Sequence, residues 1–319
     1  MGNSFKESAR QALVVMKNEI KKYFSGKRML VFLVLLAIIV FVIVVAPYMF
    51  GSETDPVYFL MMSSLVVLMA STLFASISIV SEYEERTALI VFTRPIRKTS
   101  IFAGKALACI VLTIAFTALY YVIAMIVSLV VNGSISGDML VSFGLACAYA
   151  FGTIGIAMFV SSIMKKGSTS TIITFVILAV IITALSMVLN AANVNSTWMI
   201  DQAAESIMEC SEEYRDMMNE LYASLAQMLN DPSTFVDFDT YAAAFAIVYP
   251  GGGVTKELLM TAIVTPVDGK IAFDFSAVST EIMNMEVSVP DYLRDTLVMI
   301  AWGVVSMVAA FFAFIRREF

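Results

Sequence analysis

The chain contains no histidine, only three cysteines, and few charges: 14% of its 319 residues are Asp, Glu, Lys or Arg. Without imidazole there is no Ser-His or Cys-His nucleophile and no histidine-based metal site. Cys109 and Cys147 fall inside apolar runs, and Cys210 stands alone in a polar stretch. That spacing builds neither a zinc site nor a disulfide framework. A soluble domain carries about 25% charged and about 45–50% apolar residues, whereas 60% of this chain is hydrophobic. A soluble core cannot absorb that surplus. The composition therefore excludes a soluble enzyme, a disordered chain and a collagen-like fibre, and predicts a membrane protein with several spans.

A membrane helix needs about 20 mostly apolar residues, and six charge-free runs meet that length. They are residues 29–50, 57–81, 106–131, 139–164, 168–189 and 296–315. Each is predicted to be a helix, because an isolated strand cannot satisfy its backbone in lipid. The polar segments between them alternate in sign. One side collects 16 basic and 6 acidic residues, the other 4 basic and 20 acidic. The positive-inside rule then places both termini in the cytoplasm; the expected location is the cell membrane.

Residues 1–28 are too polar for a signal peptide. Phe5, Ala9, Ala12, Leu13, Met16, Ile20 and Tyr23 fall on one helical arc, flanked by Arg10, Lys17 and Lys21. This predicts an amphipathic helix at the membrane interface, with its cations reaching lipid phosphates. Residues 29–191 carry five spans, and residues 296–319 the sixth and a short tail. The small residues Gly144, Ala148 and Gly152 recur every fourth position in the fourth span, a stripe for close helix packing. Residues 192–295 form an insert between the fifth and sixth spans. Within it, Ile200 to Met228 repeat at helical spacing beside an acidic face. Ile271, Phe273 and Phe275, then Met283, Met285, Val287 and Val289, alternate as two short strands. The expected fold is an all-α polytopic membrane protein with six transmembrane helices, an N-terminal interfacial helix and a small α/β extracytoplasmic insert.

The chemistry of an energy source is absent. No G-x-x-x-x-G-K-[ST] phosphate cradle occurs; Gly104-Lys105 lacks the upstream glycine and the downstream hydroxyl. The six apolar runs hold no Asp, Glu, Lys or Arg, which argues against ion coupling at mid-membrane. No catalytic or metal-binding set is expected, and nucleic acid is not an expected partner.

The loop of residues 82–105 is the informative cytoplasmic segment. Acidic residues open it, Leu89, Ile90 and Phe92 give it an apolar face, Pro95 stops the helix, and basic residues mark re-entry. Glu84, Thr87, Arg94-Pro95-Ile96, Arg97 and Gly104-Lys105 resemble the motif of the membrane subunit of type-2, exporter-type ATP-binding-cassette permeases. Arg86 stands where that motif commonly has glycine. The layout of the whole chain matches as well.

That resemblance implies a permease that moves a substrate using ATP hydrolysed on a separate nucleotide-binding subunit, with ATP and Mg bound there and no cofactor on this chain. The loop helix would dock on that subunit through Glu84, Glu85, Thr87, Leu89, Phe92, Arg94, Pro95, Arg97 and Lys98. Two copies, as a homodimer in the lipid bilayer, would enclose the path. Ser64, Ser71, Thr72 and Ser78 of the second span would line it, though the same residues suit helix packing. An alternative is a membrane anchor or assembly factor whose insert binds an extracellular partner.

Overall fold

A computed structural model describes residues 2–49, 54–84, 97–192, 194–230, 263–267, 270–273 and 276–316. Among them, six helices are long and apolar enough to cross a membrane. Helix α1 (Gly2–Ser25) leads into α2 (Lys27–Met49). Then come α3 (Val57–Ala75), its short continuation α4 (Val80–Glu84), α5 (Lys98–Val131) and α6 (Asp138–Ile163). The fifth span, α7 (Gly167–Ala191), contains a π turn at Ile177–Ile181. The insert supplies α8 (Ile200–Glu209), α9 (Glu212–Asn230), a hairpin of β1 (Ile263–Val267) and β2 (Lys270–Phe273), and α10 (Ser276–Met283). The last span is α11 (Tyr292–Arg316). The expected six-helix membrane architecture is what the structure shows.

The bundle is centred on α3, α5, α6 and α11, with α2 and α7 at its edge and largely uncovered. Phe74 of α3 sits between Phe32 of α2 and Phe116 of α5, with ring centroids 5.6 and 5.4 Å away. Buried hydroxyls tie the spans through backbone oxygens: Tyr120 donates to the Phe59 carbonyl at 2.7 Å, and Ser142 to the Ile207 carbonyl at 2.6 Å. Such bonds replace the hydrophobic force that lipid does not supply between helices.

The tightest seam joins α6 to α11. A Cβ placed on Gly155 would lie 2.6 Å from the Gly303 carbonyl oxygen, and one on Gly152 2.6 Å from the Ile200 side chain. Gly144, by contrast, faces open space. The small-residue seam with α11 therefore runs through Gly152, Gly155 and Gly303, and Gly144 lies outside it.

Three features of the insert differ from the sequence expectation. The periodic stretch from Ile200 is two helices, α8 and α9, broken at Cys210 and Ser211. The first strand is present in part, as Lys270–Phe273, and it pairs antiparallel with Ile263–Val267, where Pro266 obscured the strand signal. Phe275 lies outside the described residues. The second strand is not formed: Met283 ends α10, and the residues from Asn284 to Val289 make no ladder among the described residues.

Most consequential is the place of α8. Its first residue, Ile200, packs on Gly152, which stands 14 residues into α6, about 21 Å along that helix. Its last turn reaches the start of α6, where the Cys210 thiol lies 3.7 Å from the Asp138 carbonyl. Thus α8 is a wedge seated among α3, α6 and α11, reaching just past the midpoint of α6. Helical periodicity identifies a buried face, but it does not say what buries it.

Candidate functional site

The loop read as the coupling segment is held at both described ends. On the entering side, Glu82 is buried and Glu84 is exposed. The Glu84 carboxylate accepts the Gly167 backbone N–H at 2.8 Å. That places a negative group on the first amide of α7, where the helix dipole favours it. On the leaving side, Arg97 precedes α5 in extended conformation, and its guanidinium lies 3.5 Å from the Ser8 hydroxyl of α1. Lys98 is the first residue of α5 and is exposed. Glu85, Thr87, Leu89, Phe92, Arg94 and Pro95 lie outside the described residues.

Beneath the loop is an ionic knot. Lys105 is fully buried; its ammonium donates to Glu19 of α1 at 2.8 Å and to the Ser78 carbonyl at 2.7 Å. It also lies 2.9 Å from the Glu82 carboxylate. A buried ammonium is expensive unless its donors are all used, and here three oxygens surround it. One side chain thereby joins α1, the exit of the second span and the start of the third.

Gly104 makes the approach possible. A Cβ there would lie 2.6 Å from the Ala12 carbonyl oxygen and 2.7 Å from the Val15 Cβ, so α1 crosses α5 at backbone contact. Tyr23 adds a hydrogen bond to the Phe74 carbonyl at 2.7 Å. In sequence, Gly104-Lys105 reads as the end of a motif and a basic re-entry mark. Its partners Glu19 and Glu82 are 86 and 23 residues away, so no local pattern pairs them. The buried charge also explains why the third span begins at Lys98 rather than Ala106.

One edge of the apolar arc of α1 turns inward through Ala12 and Tyr23. Leu13 and Phe24 point away from the bundle, 54% and 60% exposed, on the same side as Lys17. The helix therefore has a protein-facing edge and an uncovered apolar edge.

Of the four residues assigned to path lining, Ser71 and Thr72 return their hydroxyls to the Leu68 carbonyl of their own helix, at 3.0 and 2.7 Å. This bonding satisfies the hydroxyls inside the bundle. Ser78 is buried and holds Lys105 through its carbonyl; Ser64 is half-buried. Thr72 borders a cavity of about 290 Å³ with Thr171, Leu35, Phe175 and Val176, between α2, α3 and α7. A larger apolar groove, about 800 Å³, lies between α2, α3 and α9, where Tyr58, Met61, Met62, Met217, Met218 and Glu220 meet.

The wedge brings in carboxylates that the charge-free runs did not contain. Asp201, Glu205 and Glu209 recur every fourth residue of α8 and so share a face. Asp201 accepts the Ser186 hydroxyl of α7 at 2.6 Å. Glu205 accepts the Gln202 amide at 2.9 Å. Asp295 of α11, 2% exposed, pairs with Arg294 at 2.8 Å. Burial, then Glu209 and Asp201, push the Glu205 carboxyl up to about 8. Glu209 is raised by burial and by Asp295. In sequence these acids read as the acidic face of an amphipathic helix, and the insertion of α8 leaves Glu205 of that face half-buried.

No curated protein matches the chain. A family model described as "ABC-2 family transporter protein" matches residues 49–319, from the end of α2 through all the later spans. With six apolar helices and a match over most of its length, the chain belongs to the ABC-2 family of transporter proteins as a membrane-spanning permease subunit.

Proposed function

We propose that this subunit moves its substrate using ATP hydrolysed on a separate nucleotide-binding chain, and that the loop of residues 82–105 receives the driving movement. The observation that carries this reading is the Lys105 knot. The two ends of the loop are tied to each other by the buried Lys105–Glu82 ion pair, and through Lys105 to Glu19 of α1. Glu84 ties the loop to the first turn of α7. A force applied to the loop would therefore reach α1, the second and third spans and the fifth together. An unanchored loop would dissipate it.

Both termini then lie in the cytoplasm, with the insert outside the cell membrane. Leu13 and Phe24 of α1 meet the inner lipid surface, with Lys17 among phosphates. A second copy covers α2 and α7, whose uncovered apolar faces, Ile172, Phe175 and Val176 among them, flank the 290 Å³ cavity. ATP and Mg belong to the partner.

Co-purification tests the reading. The full-length chain, expressed with its genomic neighbours, should bring down a P-loop ATPase and raise its turnover. Recovery of no ATPase ends the proposal. If the ATPase is recovered but joint replacement of Glu84, Leu89 and Arg94 by alanine leaves its stimulation unchanged, the loop is not the coupling element.

A further inference from the structure

The wedge α8 packs a row of acids against the membrane-spanning helices α6 and α11. Three of them, Asp201, Glu205 and Glu209, lie on one face at successive turns. Every element around that face can be searched for a compensating cation. α11 offers Asp295, a fourth carboxylate, and Arg294, which is engaged with it at 2.8 Å. α9 offers Arg215, whose guanidinium donates to the Glu209 and Cys210 carbonyls at 2.7 and 3.1 Å, together with Tyr214 and Tyr222. α6 offers Tyr149, near Asp201, and Asp138. The sequences of α3 and α7 place no charged group there. The seam thus holds four carboxylates against two guanidiniums: Arg294 pairs with Asp295, and Arg215 is held by the Glu209 and Cys210 carbonyls.

We propose that α8 is a proton-linked wedge: it stays seated between α6 and α11 while Glu205 carries a proton, and it loosens from the bundle when Glu205 loses that proton. The geometry supplies the argument. Glu205 is the middle acid of the row, so it has a carboxylate one turn away on each side and Asp295 across the seam. Like charges at such distances disfavour joint ionisation. The neutral acid keeps the Gln202 contact without adding to the repulsion.

The direction follows from linkage. A carboxyl raised to about 8 in the seat and back in its ordinary range of about 4.3 when hydrated binds a proton more tightly in the seated state. Seating is favoured at low pH. It weakens as pH climbs from the ordinary carboxylate range toward 8, and unseating at neutral pH releases one proton.

The chain carries its own reporter. Trp198 and Trp302 are its two tryptophans. The Trp302 indole N–H donates to the Trp198 carbonyl at 2.9 Å, two residues before α8 begins. Tryptophan emission of the full-length protein in lipid nanodiscs, titrated from pH 5 to pH 9, should move to longer wavelength with a midpoint no higher than about 8. Glu205→Gln should abolish the shift. Glu209→Gln, which removes one neighbouring charge but leaves Glu205 titratable, should lower the midpoint. A flat wild-type titration overturns the proposal, as does an unaltered shift in Glu205→Gln. Should Glu205→Gln fail to fold, an unchanged midpoint in Glu209→Gln overturns it as well. No ATPase partner is needed, so this result is independent of the co-purification above.

Discussion

Replacing Lys105 by methionine keeps most of the side-chain volume and removes the charge. Bonds of 2.8 and 2.9 Å to one nitrogen hold the Glu19 and Glu82 oxygens at most about 5.7 Å apart. Two unit charges at that separation repel by about 3 kcal/mol at an effective dielectric constant of 20. Breaking a buried pair by removing one partner costs about 3–5 kcal/mol, so the two routes agree. A loss of about 3 kcal/mol corresponds to roughly 6–12 °C in melting temperature for a chain somewhat smaller than this one. Thermal unfolding of the purified full-length protein, followed by size-exclusion fluorescence, measures it. Adding Glu19→Gln and Glu82→Gln to Lys105→Met should recover most of the loss, because apolar or neutral replacement of a whole buried network is close to neutral. Two results refute the reasoning. One is a Lys105→Met protein melting within about 1 °C of wild type. The other is a triple variant as unstable as the single one, which would trace the loss to packing.

Gly104→Leu should lift α1 from α5, since its Cβ meets backbone 2.6 Å away and the helix cannot yield locally; hydrogen exchange of residues 6–23 should rise while that of α6 stays unchanged. Gly303→Val should cost about 1–3 kcal/mol by overpacking against the Phe151 ring, 2.4 Å from the added carbon. Gly144→Ala, into open space, should stay within about 0.5 kcal/mol, and equal losses at the two sites would refute the seam assignment. Tyr23→Phe leaves the buried Phe74 carbonyl without its 2.7 Å donor and should cost about 1–3 kcal/mol in the same thermal assay.

The spans were legible because lipid imposes a one-dimensional rule: about 20 residues without charge. That rule is blind to contacts made by distant segments. Lys105 broke the third run at Ala106, yet the helix continues back to Lys98 because Glu19 and Glu82 neutralise the charge in place. The arc of α1 was legible as amphipathic, but not that one edge of it packs on α5. In the insert, the period from Ile200 to Met228 gave helix correctly and depth wrongly. An acidic face beside an apolar one looks the same whether the apolar side meets a soluble cap or the centre of a membrane bundle. Gly144 lies outside the α6–α11 seam for a related reason, since small-residue spacing marks where helices can approach and not where they do.

The π turn of α7 has a consequence for phase. The buried residues Ser170, Thr174, Leu178, Ile182 and Ser186 follow one another at intervals of four. A regular helix turns 100° per residue, so four intervals of four would carry the buried line about 160° around the axis, and Ser186 would point away from the bundle. The wide turn at Ile177–Ile181 takes up one residue without its rotation of about 100°, which leaves an offset of only about 60°. It thereby returns Ser186 to the side where Asp201 waits. Span five thus keeps two registers, one set by α3 and α4 near its start and one set by the wedge near its end, with the π turn as the offset between them. Deleting a single residue from Ile177–Ile181 would remove the wide turn and leave a regular helix with Ser186 still facing Asp201, whereas deleting one outside that turn would rotate Ser186 away by about 100°.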